Sequence, residues 1–376
     1  MATSKSTQLA SHIARDYLRD DALRPGDRLP SIRALQEQYG VSMTVVSHAL
    51  SMLSAKGLIE VRHGIGCFLA KKPGATMAER SRTIGLVLPF ESTLELMGRI
   101  MKGVESVCRQ RGYYVLFANT TNDYDTERRQ IERFVNTGCE AVVLFPAVRT
   151  KRQIESDYLN SAFLDFPIIL VDMTHPEQLR PQVIFDNRRV GYEVTERLVR
   201  AGHRRIAFMT YGARNSEDFH RSNSDRHAGY VAALQDAGIH PRPEWRWPIE
   251  VGPDIIGEQI HAHLKTWQTL TEPPSAVVAI EDLHGVTTII HARELGIDVP
   301  EQLCVVGFDN LSMAKAVSPP MMTTEADFVR AGEMAAELAL DPLTTSVSRP
   351  SIYVLPVPLL NVQAVRGPAE QMVKAR

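Results

Sequence analysis

The sequence predicts a mixed α/β protein, in which a small helical module with a β-hairpin precedes a larger region of parallel β-sheet covered by helices. Residues 1–70 hold short amphipathic patterns separated by tight turns, then two apolar runs around a glycine-containing turn. From residue 83 onward, short apolar runs alternate with helical patterns, which is typical of parallel strands buried on both faces. Residues 71–82 contain Pro-Gly and no apolar period, so they are predicted to be a linker.

Two short helices with a tight corner between them are predicted near the N-terminus. Ser31 is placed to cap the first helix, and Gly40 supplies the left-handed residue that ends it. Ser42 is placed to cap the second helix only two positions later. The apolar positions of the first helix recur at i, i+3 and i+7: Ile32, Leu35 and Tyr39.

The second of these helices carries two stripes of different chemistry. Its apolar stripe comprises Val46, Ala49, Leu50 and Leu53, and its polar stripe comprises Thr44, Ser47, His48 and Ser51. An ordinary solvent-facing side would carry Lys and Glu, whereas small neutral donors and acceptors suit a groove of DNA. The polar stripe therefore makes this helix a candidate for reading DNA.

A β-hairpin is predicted after the second helix. Gly57 ends the helix, and the apolar runs 58–62 and 67–70 flank the turn at 63–66. A helix-turn-helix followed by a hairpin is a winged helix, and the tip of the hairpin can reach a neighbouring groove of DNA. Residues 1–70 are thus expected to form a winged helix-turn-helix domain.

Residues 6–70 resemble the gluconate-repressor (GntR) family through the segments LRPGDRLPSIRAL, YGVS and HGIG, which keep their order and spacing. The resemblance implies a DNA-binding domain, although many relatives carry Arg where Met43 and Ser47 stand, so operator preference does not transfer. The expected DNA-facing residues are Arg33, Ser42, Met43, Thr44, Ser47, His48, His63 and Gly64.

The alternative for the N-terminal module is a small helical protein-interaction domain. The distribution of charge favours DNA, because residues 1–72 hold ten Lys and Arg against six Asp and Glu. The rest of the chain holds 32 against 38, so the basic surplus is local to the module.

Composition limits the remaining classes of protein. The chain has 376 residues, of which 44% are apolar and 23% charged, as in globular proteins. Its four cysteines have no CxxC or other metal-ligand spacing, and the histidines show no HExxH pattern, so disulfides and a metal site are not expected. The N-terminus has no apolar signal region, and no run of about 18 apolar residues occurs. A cytoplasmic protein without a membrane partner is expected.

Polar side chains follow the predicted strands of the larger region. The strands are predicted at 84–89, 113–118, 141–145, 168–171, 205–209, 276–280 and 303–308. Parallel sheets bind ligands at the carboxyl ends of their strands. Asp172, Glu281 and Asp309 each follow such a run, Phe90 follows the first strand, and Arg226 lies near the start of a predicted helix.

Residues 83–363 resemble the sugar-sensing domains of the lactose/galactose-repressor (LacI/GalR) family, which share the fold of periplasmic sugar-binding proteins. The resemblance rests on FDNRRVGYEVTERLVRAGHRRIAFM, VVGFDN and PPMMTTEADFVRAGEMAAELAL in that order. It implies a two-lobed effector domain over 83–366, followed by a tail at 367–376. The chain is expected to cross between the lobes near 184–188, 318–328 and 342–352.

The same resemblance implies that Asp172, Arg226 and Asp309 contact the ligand. Their chemistry agrees, because carboxylates accept and a guanidinium donates paired hydrogen bonds to hydroxyl groups. Phe90 is the candidate ring for the apolar face of a sugar, with two further rings behind it at Tyr211 and Phe219.

Four other residues are given structural roles. Asp186 and Asp282 are expected to cap the helices that follow them. Trp245 and Trp247 flank a Pro-rich loop and are expected to be packing anchors rather than ligand platforms.

Glu281 stands where the LacI/GalR family usually has Asn. If this side chain enters the cleft, Asp172, Glu281 and Asp309 supply three negative charges against Arg226, and an anionic sugar would be repelled. A neutral sugar or polyol is therefore expected, with or without an amino group. The alternative is that Glu281 turns outward to solvent or a lysine.

Together these patterns predict a transcription regulator that responds to a ligand and acts as a repressor. It is expected to bind pseudo-palindromic operator DNA as a homodimer. No catalytic residue, metal or cofactor is expected. The alternative is a sugar-acting or nucleotide-binding α/β enzyme with an appended interaction module. The sequence contains no strand-linked GxGxxG, no GxxxxGK[ST] and no GxSxG, which favours the regulator.

Overall fold

The computed structural model describes residues 5–17, 23, 26–55, 57–62, 65–70, 81–89, 94–164, 166–175, 177–211, 218–219, 221–250, 255–341 and 351–368. The chain divides between Ser81 and Arg82 into two compact units. Within the described ranges, no helix is both long enough and apolar enough to span a membrane.

The N-terminal unit consists of three helices and a hairpin. These elements are α1 (Lys5–Tyr17), α2 (Ile32–Tyr39), α3 (Met43–Ala55), β1 (Ile59–Arg62) and β2 (Gly66–Leu69). Their apolar faces meet in one core that includes Leu9, Ile13, Leu35, Val46, Leu53 and Ile59. The apolar stripe predicted on α3 therefore faces inward, which leaves the opposite side of the helix to solvent.

The turn between α2 and α3 has the predicted capping residues at α2. The Ser31 hydroxyl accepts a hydrogen bond from the Ala34 N–H at 3.2 Å. Gly40 has φ of 62°, and its N–H donates to the Gln36 carbonyl. Helix α3 begins directly after Ser42. Local sequence alone thus fixes this corner.

The hairpin is antiparallel, with Ile59 opposite Leu69 and Arg62 opposite Gly66. The Arg62 guanidinium lies 4.5 Å from the centre of the Phe68 ring, on the neighbouring strand. The predicted tip residues, His63 and Gly64, lie outside the described residues.

The larger unit is built from strands and helices that alternate along most of the chain. Its elements are β3 (Thr83–Leu88), α4 (Leu94–Gln110), β4 (Tyr114–Asn119), α5 (Tyr124–Thr137), β5 (Ala141–Leu144), β6 (Arg149–Thr150), α6 (Lys151–Glu155), β7 (Ile168–Val171), β8 (Gln182–Phe185), α7 (Asn187–Arg200), β9 (Ile206–Tyr211), β10 (Asp218–Phe219), α8 (Arg221–Asp236), β11 (Arg246–Ile249), α9 (Ile256–Thr269), β12 (Ala276–Val278), α10 (Asp282–Glu294), β13 (Cys304–Val306), α11 (Ser312–Ala316), β14 (Thr323–Thr324), α12 (Phe328–Ala339), β15 (Ile352–Leu355) and β16 (Leu359–Leu360). Every apolar run predicted as a strand falls on one of these strands.

Two parallel sheets form the cores of two lobes. The larger lobe has a six-stranded sheet in the order β15-β8-β7-β5-β3-β4, and the smaller lobe has a four-stranded sheet in the order β11-β9-β12-β13. Within each sheet all neighbouring strands are parallel. Trp245 and Trp247 are buried in the core of the smaller lobe, so their predicted role as packing anchors is confirmed.

The chain passes between the lobes at three places. It leaves the larger sheet after β8, and it returns to that lobe before α12, which packs on α4. The third crossing was predicted near 342–352, which is wrong. Strand β15 still belongs to the larger sheet, next to β8, and the chain leaves only after Leu355 to pair β16 with β14.

Helices α7 and α8 of the smaller lobe pack at backbone distance because each has a glycine at the contact. A Cβ added to Gly191 would lie 2.2 Å from the Arg226 carbonyl oxygen, and one added to Gly229 would lie 2.1 Å from that of Arg188. No side chain fits at either position. This close approach sets where the backbone of Arg226 lies.

We expect Gly191→Ala to lower the free energy of unfolding by about 1–3 kcal/mol, because the added methyl group must push α7 and α8 apart. Gly98→Ala is the matched control, since Gly98 also lies in a helix but has no atom within 4 Å of an added Cβ. The control should raise stability by about 0.5–1 kcal/mol. Urea unfolding followed by circular dichroism measures both, and equal effects would contradict the packing described for α7 and α8.

Candidate functional site

The solvent-facing side of α3 carries the polar stripe predicted from the sequence. Thr44, His48 and Ser51 are exposed and Ser47 is half-buried, while Met43 at the start of the helix is 59% exposed. These side chains share one face of a helix that is anchored by its opposite face. The surface they form is neutral and carries small side chains.

Arg33 on α2 is also exposed, with 89% of its side chain accessible. It forms an ion pair with Glu37 one helical turn away, with an N–O distance of 3.3 Å. Exposed pairs of this kind contribute little to stability, so the guanidinium can exchange this partner for a phosphate group without a large loss. Ser42 is exposed directly before α3.

Arg226 and Asp309 come together in the larger unit, as predicted. Arg226 lies on α8, and its Nη2 donates to Asp309 Oδ1 at 3.2 Å. Its Nη1 donates to the Ile280 carbonyl at 2.9 Å, and its Nε donates to Asn187 Oδ1 at 2.8 Å. The guanidinium also lies 4.2 Å from the centre of the Phe308 ring. Each nitrogen of this buried group is therefore hydrogen-bonded.

Asp172 and Asp309 both follow a buried strand and have backbones in the left-handed region. Their φ angles are 59° and 89°, and Asn310 follows with φ of 47°. Such conformations are uncommon for residues other than glycine, although Asp and Asn tolerate them best. They cluster at ligand sites, where the surrounding structure must hold them.

Burial shifts the acidities of these carboxyl groups. It raises the pKa of Asp172 to about 7, where the Arg226 charge works in the opposite direction and Asp309 adds to the increase. Burial likewise raises the pKa of Glu281 to about 8, with Asp309 adding to it and Arg226 opposing it. The pKa of Asp309 is also raised by burial, against the effect of Arg226.

Glu281 is buried rather than turned outward, so the solvent-facing alternative is wrong. It is 8% exposed and lies between β12 and α10, beside the smaller sheet. Its Oε1 lies 3.5 Å from Nδ1 of His284. Burial lowers the pKa of His284 to about 4, so this imidazole is neutral at pH 7 and does not compensate the carboxylate.

Tyr211 at the end of β9 is half-buried, and its ring lies 6.2 Å from that of His284. Burial raises its pKa well above the ordinary value, and Glu281, Asp309 and Asp172 raise it further, while Arg226 opposes them. The three carboxyl groups and the guanidinium therefore act electrostatically on one phenol. Asp172, Tyr211, Arg226, Glu281 and Asp309 are together called the acid cleft below.

The two helix-capping predictions have different outcomes. Asp186 caps α7, with its Oδ1 accepting from the Arg189 N–H at 3.2 Å, as predicted. Asp282 does not cap α10. Its carboxylate accepts from the Leu311 N–H at 2.8 Å and from the Thr323 hydroxyl at 2.7 Å, because the carboxylate reaches the chain that follows β13.

Residues of the larger lobe contact the turn that carries Asp309. Arg99 on α4 donates to the Asp309 carbonyl at 2.9 Å and to the Asn310 carbonyl at 2.7 Å. Glu95, which is ion-paired with Arg99 at 2.6 Å, accepts from the Ser312 N–H at 2.9 Å. One turn of the smaller lobe thus serves both the acid cleft and the contact between the lobes.

A second contact between the lobes involves the segment after Asp172. Arg221 at the start of α8 donates to the Thr174 hydroxyl at 3.2 Å. Strand β10, which precedes α8, pairs antiparallel with β6 of the larger lobe. The described segments around the acid cleft therefore join the two lobes through one hydrogen bond and a short antiparallel pairing.

Sequence reasoning missed Asn187, Glu95 and Arg99. The sequence identifies Asn187 only as the first residue of a helix, yet its amide oxygen accepts a hydrogen bond from Arg226. Glu95 and Arg99 lie on an amphipathic helix, where charged residues normally face water. No local pattern distinguishes them, because their partners are more than 200 residues away in the chain.

Phe90, the candidate sugar-stacking ring, lies outside the described residues. One group of possible metal ligands occurs within the described part of the chain: His261, His291 and Glu294, with donor atoms within 4.8 Å of one another. These residues lie on α9 and α10 and are not part of the acid cleft. His291 Nδ1 is already 2.7 Å from Glu294 Oε2.

Two family models match this chain. Residues 6–69 match "Bacterial regulatory proteins, gntR family", and residues 195–361 match "Periplasmic binding protein-like domain". The chain joins a GntR-type helix-turn-helix domain to a periplasmic-binding-protein-like domain. The predicted fold class, an N-terminal winged helix-turn-helix followed by a two-lobed parallel-sheet domain, is confirmed.

The chain is similar along most of its length to bacterial transcription regulators. It is 24% identical over 351 residues to the arabinose metabolism transcriptional repressor of Geobacillus stearothermophilus, covering 88% of this chain and 92% of that protein. It is 27% identical over 319 residues to the regulator GalS of Salmonella typhimurium, covering 82% and 89%. A Burkholderia thailandensis structure described as a ribose operon repressor aligns with a TM-score of 0.62 at 22% identity, covering 75% and 99%.

These relatives agree with the role predicted from the sequence. The chain is a DNA-binding transcription regulator controlled by a small-molecule ligand. The GntR-type domain supplies α3, and the periplasmic-binding-protein-like domain supplies Arg226, Glu281 and Asp309.

The ligand-free protein should lose stability as the pH rises from 4.5 to about 8, the interval between the ordinary pKa of Glu281 and its raised value. In this interval the folded state holds a proton that the unfolded state has lost, so a raised pKa favours the folded state only at the lower pH. Asp172 contributes in the same direction. The charged groups that act on Glu281 are Asp309, Arg226 and Asp282.

Glu281→Gln should make this dependence shallower, because one of the titrating groups is removed. Urea unfolding across the pH range measures the slope for both proteins. Glu294→Gln, at the other end of α10 and largely exposed, is the control and should keep the original slope. An unchanged slope in Glu281→Gln would mean that Glu281 titrates normally.

Proposed function

We propose that the chain is a repressor that binds operator DNA through its N-terminal unit and responds to a small sugar or polyol in the acid cleft. One observation carries the proposal: the same chain presents an exposed, neutral polar stripe on α3 and a buried, hydrogen-bonded group of carboxyl side chains around Arg226, next to a contact between two lobes. The names of the relatives, which refer to arabinose metabolism and a ribose operon, support a sugar.

On the DNA side, α3 is proposed as the recognition helix. Thr44, Ser47 and His48 offer donors and acceptors for base edges, and Met43 offers an apolar surface for a thymine methyl group. Arg33 is proposed to contact phosphate. Ser42, His63 and Gly64 complete the proposed surface by resemblance to the GntR family.

On the effector side, the acid cleft offers groups that suit hydroxyl-rich ligands. Asp172, Glu281 and Asp309 supply carboxyl oxygens, and Tyr211 supplies a hydroxyl. Arg226 holds Asp309 in place at 3.2 Å. Phe90 remains the proposed ring for the apolar face of the sugar.

Ligand binding is proposed to control the closure of the two lobes. The side chain of Asp309 faces the acid cleft, while its carbonyl accepts from Arg99 of the larger lobe at 2.9 Å. A ligand that contacts Asp309 and Asp172 at once contacts both lobes and therefore favours the closed arrangement. A change in closure is proposed to change affinity for DNA.

The active form is proposed to be a homodimer, because one recognition helix reads too few bases to be specific. Strand β4 at the edge of the larger sheet supports this, since it exposes Tyr114, Leu116 and Phe117 by 75%, 39% and 44%. An exposed apolar edge strand in a folded protein needs a cover. We propose that a second copy covers β4.

The acid cleft is proposed to sense its ligand and not to convert it. The relatives and structural neighbours are transcription regulators, which supports a protein that is not an enzyme and needs no cofactor. We further propose that the protein acts in the cytoplasm, where bacterial operator DNA is found.

Selection from random duplex DNA should enrich a pseudo-palindromic site, because two copies bind together. The double change Thr44→Ala, Ser47→Ala should weaken binding to that site by about 1–3 kcal/mol, because base-reading hydroxyls are lost. Binding to random DNA should stay the same, since phosphate contacts remain. Electrophoretic mobility shifts on both DNAs measure the difference.

The matched control is Thr266→Ala, Thr269→Ala. Both hydroxyls are exposed on α9 and donate only to carbonyls of their own helix. This variant should bind both DNAs normally. Equal losses on selected and random DNA in the Thr44/Ser47 variant would remove these residues from base reading.

A thermal-shift screen of sugars and polyols should identify a ligand that alters binding to the selected DNA. Asp309→Asn should weaken binding of that ligand by about 2–3 kcal/mol, because a charge-assisted hydrogen bond becomes a neutral one. DNA binding without ligand should persist. Asp186→Asn is the control, since it makes the same chemical change at a helix cap that Asn also satisfies. Normal ligand affinity in Asp309→Asn would place the effector elsewhere.

A further inference from the structure

We propose that α9 and α10 bind a divalent transition-metal ion such as zinc through His261, His291 and Glu294. The three side chains come from two helices that pack on each other in the smaller lobe, and one donor atom from each lies within 4.8 Å of the other two. None of the three belongs to the acid cleft, so the inference does not rest on the proposed function. It departs from the expectation, drawn from sequence spacing, that the chain has no metal site.

Two imidazoles and one carboxylate form a donor set that suits this class of ion. Imidazole nitrogen is a favoured ligand of Zn²⁺, Ni²⁺ and Cu²⁺, whereas Mg²⁺ and Ca²⁺ prefer oxygen ligands. Zinc holds its nitrogen and oxygen ligands at about 2.0–2.2 Å, so two donors on one ion are at most about 4.4 Å apart. Donors that already lie within 4.8 Å of one another therefore need only small side-chain rotations to meet an ion. Water can complete the coordination.

Helix α10 supplies two of the donors from its last turn. His291 and Glu294 are three residues apart on one face of the helix, and His291 Nδ1 lies 2.7 Å from Glu294 Oε2. Glu294 is the last residue of α10. The carbonyl groups at the C-terminal end of a helix carry partial negative charge and favour a nearby cation. Both the carboxylate and the helix end therefore attract a metal ion to this place.

Helix α9 supplies the third donor, and a glycine on the same face lets the two helices come close. Gly257 lies one turn before His261. A Cβ added to Gly257 would lie 3.0 Å from His291 Nε2, so a larger residue would press on this ring. With glycine there, the ring centres of His261 and His291 are 5.3 Å apart. Packing thus brings together two imidazoles from different helices.

His263 is not part of this cluster, although residues 261–263 read His-Ala-His. Residues two apart on a helix point in different directions. The ring of His263 stacks on Trp247 with 5.4 Å between their centres, and its Nε2 lies 3.0 Å from the Pro248 carbonyl oxygen. The fold therefore pairs His261 with a histidine that is distant in the sequence and not with its near neighbour.

The cluster is open to an ion from solvent. The side chain of His291 is 24% exposed and that of Glu294 is 57% exposed, while His261 is half-buried. Arg293, the neighbour of Glu294 in the chain, donates to the Ser318 carbonyl rather than pairing with Glu294. The carboxylate is thus accessible to a metal ion. An ion held by both helices would tie α9 to α10, and it would stabilise the folded chain by mass action.

The test is zinc binding to the full chain, prepared without an affinity tag and freed of metals with a chelator. It is done at about pH 8, so that protons do not compete for the imidazole nitrogens. Calorimetry should show a single zinc ion bound per chain with a Kd of about 10 μM or tighter. Zinc should also raise the Tm of the chain. Ni²⁺ should bind as well, whereas Mg²⁺ at the same concentration should not.

His261→Gln and His291→Gln should each weaken zinc binding by at least about tenfold and remove the rise in Tm, because one of three donors is lost. Glu294→Gln should also weaken it, and since this side chain is largely exposed, the test does not depend on the folding of the histidine variants. His263→Gln is the matched control, because it makes the same change two positions from His261 and should bind zinc normally.

Three results would overturn the site. The first is no binding of zinc by the unmodified chain at about 100 μM. The second is undiminished binding in both His261→Gln and His291→Gln, which would place the ion elsewhere. The third is a loss in His263→Gln equal to that in His261→Gln, which would assign the ion to the His-Ala-His segment and remove the link between α9 and α10.

Discussion

The guanidinium of Arg226 is the interaction on which the acid cleft depends. It connects α8 to Asn187 at the start of α7, to the Ile280 carbonyl before α10 and to Asp309 after β13. A buried ion pair is stable only when its remaining hydrogen bonds are satisfied, and here each nitrogen has a partner. The close packing of α7 and α8 at Gly191 brings the backbone of Arg226 to the position from which its side chain reaches all three segments.

The turn after β13 carries both the ion pair with Arg226 and a contact with the larger lobe. Asp309 and Asn310 are held in the left-handed region, so their carbonyls face Arg99 of the larger lobe while the Asp309 carboxylate faces Arg226. A change at the carboxylate therefore acts on the same few atoms that join the lobes. Because one backbone turn contacts both Arg226 and Arg99, a ligand that contacts this turn can be coupled to closure of the two lobes.

Burial and neighbouring charges set the protonation of the carboxyl groups around Arg226. Burial makes charge costly, and Asp309 is the one of the three (Asp172, Glu281 and Asp309) that is ion-paired with an arginine at short distance among the described residues. Burial, with a contribution from Asp309, raises the pKa of Asp172 to about 7 and that of Glu281 to about 8, while Arg226 opposes both increases.

The sequence by itself determined the features that depend on neighbouring residues: the caps at Ser31 and Gly40, the strands, and the acidic residues at strand ends. These follow from hydrogen bonds and periodicity within a few positions of the chain. Only the tertiary structure decided that Glu281 is buried and that Asp282 bonds to Thr323 instead of capping a helix. It also decided that Arg99 joins the lobes and that the last crossing follows β15, because these contacts join residues far apart in the chain and depend on how the helices and sheets pack.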